Sequence, residues 1–231
     1  MSLSIIIPTL NEKKNILKLS KLISKNLKNI KHEIIFIDDN SRDGSIYIFK
    51  KIKSKKINFV IRKKNPDLSQ SCFLGIQKSI YSKIIIMDGD LQHNPKYIVK
   101  FLKLMKNRKL HIVVGARNFS QRSGLSIIRF LSSKVLILIV NNLLGCKTSD
   151  PMSGFFLFQK KIFYESKNNM YGKGFKILMD IIYSSKKTLK IEDVKIKFSH
   201  RLGGKSKMSS STLLHIINFL RLNLMKRFSF L

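Results

Sequence analysis

The sequence predicts an α/β fold in which helices flank a mainly parallel β-sheet. Over the first 115 residues, short apolar runs alternate with helical patterns, as they do in β-α-β units. Polar clusters follow three of those runs, at residues 8–12, 38–39 and 88–90. Parallel sheets bind ligands beyond the carboxyl ends of their strands. The three clusters are therefore expected to meet in one crevice.

The first two predicted strands are apolar runs at residues 3–7 and 33–37. The helix between them, predicted over residues 12–28, carries apolar side chains at helical spacing, at Ile16, Leu19, Ile23 and Leu27. After the second strand, Asp43 and Gly44 form a turn signal that leads into another helix.

Three further strands are predicted in the first half, at residues 58–61, 84–87 and 111–114. A helix over residues 69–82 separates the first two of them. Asn94 and Pro95 fit the N-cap and first position of the next helix. Its apolar face repeats at Ile98, Leu102 and Met105.

The second half is predicted to contain three helices and one half-exposed strand. The helices cover residues 124–144, 174–185 and 212–228, and the strand covers 194–198. Loops are predicted at 145–154 and 200–211. Since neither repeats nor a disordered linker interrupt the chain, we expect a single domain over residues 1–231. Residues 1–115 and 116–231 are expected to form its two halves.

Composition allows one sizeable core, since 44% of the 231 residues are hydrophobic. The 45 basic and 13 acidic residues produce a formal net charge of +32. Such an excess attracts nucleic acid, acidic lipid or phosphorylated substrates. A basic nucleic-acid-binding protein is therefore one alternative. The lack of a basic arm and the position of Phe and Tyr on apolar faces argue against it, and we expect no nucleic-acid partner.

Two cysteines, Cys72 and Cys146, belong to no CxxC or Cys/His cluster, which favours a reducing compartment over a zinc site or disulfide framework. The N-terminus runs directly into a strand, so we expect no signal peptide. Apolar stretches stay below the roughly 18 to 20 residues that a bilayer span requires. We therefore expect no transmembrane helix.

Asp88 and Asp90 flank Gly89 at the end of a buried apolar run, and Gln92 follows two residues later. Carboxylate and amide oxygens in this arrangement suit Mg²⁺ or Mn²⁺, which in an α/β protein usually neutralises a diphosphate. The alternative is a solvated acidic turn that closes a hairpin. The scarcity of acidic residues in this chain favours the metal site.

Six motifs in order, at residues 8–12, 38–45, 87–95, 115–117, 150–155 and 201–207, resemble those of a known family. Together they are similar to the inverting family-two glycosyltransferases, in the dolichyl- or polyprenyl-phosphate mannosyltransferase branch. The resemblance covers nearly the whole chain. It implies a nucleotide-diphospho-sugar transferase (GT-A) fold, a nucleotide-sugar donor and a polyprenyl phosphate acceptor. Residues 1–115 would bind the donor, and residues 116–231 the acceptor.

The resemblance also implies roles for individual residues. The metal would be bound by Asp88, Asp90 and Gln92, and the catalytic residues would be Asp88, Asp90 and Arg117. Donor binding would involve Pro8, Glu12, Ile37, Asp39, Asp88 and Gly89. Of the adjacent pair, we expect Asp39 to contact the ligand and Asp38 to form a turn. The acceptor phosphate would be bound by Arg117, Arg129, Ser133, Arg201 and Lys207.

Cations rather than a base are expected on the acceptor side. A phosphate is already ionised at neutral pH, so its oxygen needs orientation beside another anion and not deprotonation. Asp150 is expected either to orient these cations or to cap a turn. His93 is expected to support the metal site rather than to act as an acid.

The sequence departs from the family pattern at three positions. Leu10 stands where Tyr is common, Asp67 where Gly is frequent, and Lys205 where Glu is usual. The first two changes lie on the donor side and leave the nucleotide base open. The third adds positive charge where the acceptor phosphate should arrive.

We expect transfer of mannose from GDP-mannose to the lipid phosphate. Transfer of glucose or another hexose from a UDP-sugar, and a catalytically inactive membrane-binding relative, are the alternatives. The enzyme is expected to be peripheral, at the cytoplasmic face of a membrane, with or without a small membrane-anchoring partner. Its final helix would contact lipid or pack on the core through Leu213, Ile216, Ile217, Leu220, Leu224 and Phe228.

Overall fold

A computed structural model of the protein describes residues 1–117, 127–174, 177–197 and 210–228. In its two longest helices, it describes the side chains of residues 135–144 and 214–225. The strands are β1 (Ser2–Thr9), β2 (Lys31–Asp38), β3 (Ile57–Ile61), β4 (Lys83–Ile86), β5 (Ile112–Arg117), β6 (Phe156–Gln159) and β7 (Ile191–Ile196).

Helices connect the strands as the sequence predicts for the first half. They are α1 (Lys13–Asn26), α2 (Ser45–Lys51), α3 (Leu68–Lys78), α4 (Tyr97–Asn107), α5 (Ile127–Leu144), α6 (Lys160–Ser166), α7 (Ile177–Ser184) and α8 (Ser210–Phe228). A short 3₁₀ helix, Lys167–Asn169, follows α6. Every helix and strand predicted from periodicity is present, with ends shifted by a few residues.

The strands form one seven-stranded sheet in the order β3-β2-β1-β4-β6-β5-β7. All neighbouring pairs are parallel except those of β6, which runs antiparallel to both β4 and β5. The predicted α/β class with a mainly parallel sheet is confirmed. Neither β6 nor α6 was predicted, because a four-residue buried strand carries no periodicity that distinguishes it from a loop or a buried helix.

Alternating side chains of the central strands pack on opposite faces of the sheet. Ile5 and Ile7 of β1 contribute to one buried cluster, together with α1 and α4. Ile6 contributes to the cluster on the other face, with α3 and α7. Because both faces are covered, β1 is apolar at every position from Ile5 to Ile7, as is typical of a central parallel strand.

The register of the parallel strands brings the predicted polar clusters together. Pro8 pairs with Ile37 and Thr9 with Asp38 where β1 and β2 end. Ile6 pairs with Ile86 at the end of β4, and Met87 then donates its N–H to the Ile6 carbonyl at 3.1 Å. Asp38 and Asp88 therefore leave the sheet on either side of the β1 end.

Helices α5 and α8 pack against each other, and α8 also contacts α7. Their shared cluster buries Val140, Met179, Ile216, Phe219 and Leu220. The predicted apolar face of the last helix is thus divided: Ile216 and Leu220 are in the core, whereas Ile217 is exposed. Among the described residues, no helix is both long enough and apolar enough to cross a bilayer.

Candidate functional site

The ends of β1, β2 and β4 form the crevice that the sequence predicts. Asp39 donates its N–H to the Thr9 carbonyl at 2.8 Å, which joins the β1 and β2 ends. Gly89 lies directly against Thr9, since a Cβ on this glycine would be 3.0 Å from Thr9 Cγ2. A side chain at position 89 would therefore have to displace the Thr9 methyl group.

The adjacent acids Asp38 and Asp39 point to different partners. Asp38 accepts the Ser41 N–H at 2.9 Å and the Ser41 hydroxyl at 2.7 Å, which closes a turn after β2. Asp39 instead faces the loop after β3, where it accepts the Asp67 N–H at 2.6 Å. Asp38 thus forms the expected turn, and the ligand contact expected of Asp39 stays a prediction.

Arg62 is the partner of Asp39 that the sequence did not reveal. Its Nε lies 2.6 Å from Asp39 Oδ1, and both side chains are buried. Burial raises the pKa of Asp39, while the Asp67 N–H and the Arg62 charge act in the opposite direction. The ion pair therefore supports a carboxylate that burial alone would disfavour.

A small pocket of about 90 Å³ adjoins this carboxylate. The residues that line it come from the ends of β1 and β2 and from the start of α3 with the loop before it: Pro8, Thr9, Leu10, Asp39, Pro66, Asp67 and Leu68. Two of the predicted donor residues, Pro8 and Asp39, lie in this lining. Of the others, Ile37 pairs with Pro8 in the sheet, and Glu12 precedes α1, where it accepts a hydrogen bond from Asn15 at 2.7 Å.

Asp67, the residue that replaces a frequent Gly, has a structural use. Its Oδ1 accepts the Gln70 N–H at 3.0 Å and so caps the N-terminus of α3. Its Oδ2 accepts the Gly174 N–H at 3.0 Å, which joins a distant loop to the edge of this pocket. This negative charge is therefore held by backbone donors beside the pocket.

Asp88 and Asp90 differ in exposure. The Asp88 side chain is 37% exposed, and its Oδ2 lies 3.1 Å from His93 Nε2. Asp90 is buried, and its Oδ1 accepts the Gln92 N–H at 3.1 Å. Leu91, between Asp90 and Gln92, has a φ of 63°, a left-handed conformation that is costly for a bulky residue and that tightens this turn.

The residues of this turn fit the metal that the sequence predicts. Among the described residues, no three His, Cys, Asp or Glu side chains form a metal-binding group. Asp88, Asp90 and Gln92 nevertheless supply the carboxylate and amide oxygens that Mg²⁺ and Mn²⁺ prefer. Mg²⁺ bound with a nucleotide commonly takes one or two carboxylates from the protein, and phosphate oxygens and water complete its coordination.

Arg117 forms a two-pronged ion pair with Asp150. Arg117 Nε and Nη2 each lie 2.8 Å from a different carboxylate oxygen, and the Arg117 backbone N–H donates to Oδ2 at 3.1 Å. Burial would lower the pKa of Arg117, but the hydrogen bonds and charge of Asp150 and the charge of Asp88 raise it. Asp150 therefore orients a predicted acceptor-site cation, one of its two expected roles.

The loop that carries Asp150 is attached to the edge strand β7. Asp193 accepts the Thr148 hydroxyl at 2.6 Å, the Ser149 N–H at 2.7 Å and the Ser149 hydroxyl at 2.6 Å. On the far side of the loop, the Ser153 hydroxyl donates to the Gly115 carbonyl at 2.7 Å. These contacts hold the loop at both ends and position Asp150 beside Arg117.

The remaining predicted acceptor residues belong to parts of the chain whose side chains the structure does not describe. Arg129 and Ser133 are on α5, but their side chains are outside the described set. Arg201, Lys205 and Lys207 lie outside the described residues altogether. Their roles remain predictions.

The model of the family described as glycosyl transferase family 2 matches residues 4–166. This stretch contains the three strand-end clusters and the Arg117–Asp150 pair. The chain belongs to this family. The resemblance noted in the sequence is thereby confirmed.

Relatives of this glycosyltransferase include three proteins named dolichol-phosphate mannosyltransferase. The Pyrococcus furiosus protein is 32% identical over 92% of this chain, which spans 61% of that protein's length. The Mycosarcoma maydis protein is 30% identical over 92% of this chain and 75% of its own length. The Saccharomyces cerevisiae protein is 27% identical over 94% of this chain and 85% of its own length.

Solved structures of glucosyl-3-phosphoglycerate synthase from Mycobacterium tuberculosis have the same fold. The complex of that protein with Mn²⁺, UDP-glucose and phosphoglyceric acid superposes with a TM-score of 0.70 at 15% identity. The match covers 98% of this chain and 79% of that one. At this identity the likeness establishes the fold, which is the GT-A fold that the resemblance implies.

Proposed function

We propose that this glycosyltransferase transfers a hexose, foremost mannose from GDP-mannose, to a dolichyl or other polyprenyl phosphate with inversion. The observation that carries the proposal is the ion pair of the partly buried Arg117 with the buried Asp150, and the Arg117 guanidinium also lies in the field of Asp88. This geometry supports binding of an anionic acceptor next to a donor site. The names of the relatives support the choice of sugar and lipid.

The donor side combines a nucleoside pocket with an acidic turn. Pro8 and Asp39 line the pocket and would bind base and ribose, together with Glu12, Ile37 and Gly89. The acidic turn would bind Mg²⁺ or Mn²⁺ through Asp88, Asp90 and Gln92. When bound, such a cation stabilises the negative charge that develops on the leaving nucleoside diphosphate.

The acceptor side needs positive charge and orientation. The phosphate oxygen of the lipid is ionised and can attack the anomeric carbon without a general base, on the face opposite the leaving diphosphate. Arg117 would orient this phosphate, and its contact with Asp150 fixes the guanidinium plane. Arg129, Ser133, Arg201 and Lys207 would complete the binding of the phosphate.

Exposed apolar side chains on α5 and α8 support contact with a membrane surface. They include Val135, Leu138, Ile139, Leu214, Ile217 and Met225. Arg221 and Met225 line an open apolar groove of about 570 Å³ on α8. Combined with the net charge of +32, this surface suits peripheral binding to an anionic leaflet, which we place at the cytoplasmic face. A small membrane-anchoring partner would add to this attachment.

Transfer from a UDP-sugar is the second candidate. Leu10 lines the base pocket in place of the Tyr common in the family, so the pocket lacks an aromatic side chain at this position that would stack on a particular base. The choice between guanosine and uridine therefore depends on the shape of a small pocket formed by Leu10, Pro66 and Leu68.

A binding and transfer assay tests the proposal. Melting temperatures are measured with GDP, UDP and their mannose and glucose conjugates, each with Mn²⁺ or EDTA, and transfer to a short polyprenyl phosphate is followed by mass spectrometry. We expect stabilisation by a guanosine nucleotide with Mn²⁺ and formation of a mannosyl phosphate lipid. A response to uridine nucleotides alone selects the second candidate. If neither guanosine nor uridine nucleotides stabilise the protein, both candidate functions are contradicted.

A further inference from the structure

His93 has a buried ring next to an exposed carboxylate. Its side chain is 2% exposed, and its ring centroid lies 5.1 Å from that of Phe155. Its Nε2 lies 3.1 Å from Asp88 Oδ2. Packing around the ring thus fixes one nitrogen at hydrogen-bonding distance from a side chain that itself reaches the crevice.

The backbone at Gly154 lies against one side of the Asp88 carboxylate. A Cβ built on Gly154 would be 2.4 Å from Asp88 Oδ2 and 2.7 Å from Oδ1. The carboxylate therefore touches the backbone of Gly154 as well as the ring of His93. An exposed Asp would otherwise sample several rotamers, and each additional rotamer would reduce the fraction that is arranged to bind a ligand.

We propose that His93 is a positioning residue for Asp88, a role that rests on the proposed function. The ring donates its Nε2–H to Asp88 Oδ2 and selects the rotamer in which the carboxylate meets the cation of the donor diphosphate. No proton is transferred. Partners of this kind, which orient a ligand-binding side chain, commonly change metal affinity or activity about 10- to 100-fold when they are removed.

A purely structural role for His93 would require only the shape of the ring and not its nitrogen atoms. If the side chain only filled space against Phe155, an aromatic ring without nitrogen would serve as well. If it acts through Asp88, the donor at the Nε2 position matters and ring shape matters less. Side-chain amides separate these two roles, because Gln can place an N–H donor near the Nε2 position whereas the shorter Asn reaches only the Nδ1 position.

The experiment compares His93→Gln, His93→Asn and His93→Phe in the full chain. Calorimetric titration measures the affinity for GDP or UDP with Mn²⁺ and, separately, with EDTA. We expect His93→Asn and His93→Phe to weaken Mn²⁺-dependent nucleotide binding about 10- to 100-fold. His93→Gln should stay close to wild type, and metal-free nucleotide binding should be unchanged in all three.

Steady-state kinetics and melting temperatures complete the test. The donor KM should rise in His93→Asn, whereas the acceptor KM should not change. In an Asp88→Asn background, the His93→Asn change should have no further effect on Mn²⁺-dependent binding, because its target is already altered.

Several results would overturn the proposal. Equal Mn²⁺-dependent affinity in His93→Phe and wild type would reduce the ring to a packing role. If His93→Gln and His93→Asn lose equal amounts of Mn²⁺-dependent nucleotide affinity, both with normal melting temperatures, donation from the Nε2 position is excluded. A wild-type protein that binds neither nucleotide with Mn²⁺ overturns the proposed function together with this role, whereas wild-type binding with no effect of any His93 variant overturns this role alone.

Discussion

At the scale of single residues, two glycines leave the space in which the acidic turn packs. Gly154 is placed so that any side chain would collide with Asp88, while Gly89 adjoins Thr9. Neither glycine adopts a positive φ, so the reason for glycine at these positions is space rather than backbone conformation. The Asp-Pro-Met-Ser-Gly sequence thus supplies both Asp150, which orients Arg117, and the free space beside Asp88.

Gly154→Ala should abolish Mn²⁺-dependent nucleotide binding while the protein stays folded. The new Cβ would overlap Asp88 Oδ2, so the carboxylate must move away from its position in the crevice. Titration of nucleotide with and without Mn²⁺ measures the effect. Gly145→Asn is the control, since a side chain there meets open space and Asn tolerates the φ of +84°. Unchanged Mn²⁺-dependent binding in Gly154→Ala would contradict this assignment.

Arg62→Met should destabilise the protein most strongly at neutral pH. Loss of one partner of a buried ion pair typically costs about 3 to 5 kcal/mol. Burial already raises the pKa of Asp39 above 3.8, and without Arg62 it would rise further. A group whose pKa is raised by folding favours the folded state at low pH, and this contribution is lost as the pH rises through the folded pKa. The penalty should therefore shrink on acidification.

Urea denaturation at neutral pH and at about pH 5 measures this dependence. The matched control is Arg62→Met combined with Asp39→Asn, which removes the titrating group. In this double variant the destabilisation should be the same at the two pH values. A penalty of equal size at both pH values in the single variant would show that Arg62 acts through packing.

At the scale of secondary structure, one side of α8 is buried in the protein and another apolar side is exposed. Ile216 and Phe219 are buried against α5 and α7, whereas Leu214 and Ile217 are 61% and 51% exposed. Leu220, which the sequence placed on the same apolar face as Ile217, lies with the buried set. The helix therefore packs on the protein with one side and presents another apolar side outwards.

Substitutions on the two sides of α8 should affect different quantities: vesicle binding on the exposed side and stability on the buried side. Leu214→Ser with Ile217→Ser should weaken binding to anionic vesicles and leave stability nearly unchanged, because these side chains are already exposed. Phe219→Ala should lower the free energy of unfolding by about 3 to 5 kcal/mol because it leaves a cavity. Vesicle sedimentation and urea denaturation measure the two quantities. Normal vesicle binding of the double Ser variant would assign the membrane contact to another surface.

At the scale of the whole molecule, net charge would govern the proposed encounter with a membrane. The net charge of +32 is distributed along the chain. Each basic residue near an anionic leaflet contributes about 1 kcal/mol of attraction. Exposed charges are screened over about 10 Å at 0.1 M salt, so this contribution should fall as salt increases.

Binding to anionic vesicles should therefore weaken steadily across a salt series. Neutral vesicles should bind less at low salt and respond little to its increase, since only apolar contact remains. Sedimentation with phosphatidylserine-containing and pure phosphatidylcholine vesicles measures both. Equal, salt-independent binding to the two lipids would exclude the electrostatic contribution.

Local pattern by itself determined the α/β class, the strand-end clusters and the candidate metal residues. Helical and strand periods are local properties, and a parallel sheet necessarily brings its strand ends to one edge. The turn role of Asp38 was also accessible, because its partner Ser41 lies three residues away. The family motifs added the predicted acceptor residues, of which Arg117 is paired with Asp150.

Only the tertiary structure decided which distant groups meet. The insertion of β6 between β4 and β5, the pairing of Arg62 with Asp39, and the contact of Asp67 with Gly174 all join segments far apart in the chain. The buried side of α8 was likewise undecided, because Ile216, Ile217 and Leu220 are equally apolar. Burial depends on which neighbour covers a side chain, and the packing of α5 and α7 against α8 sets that choice.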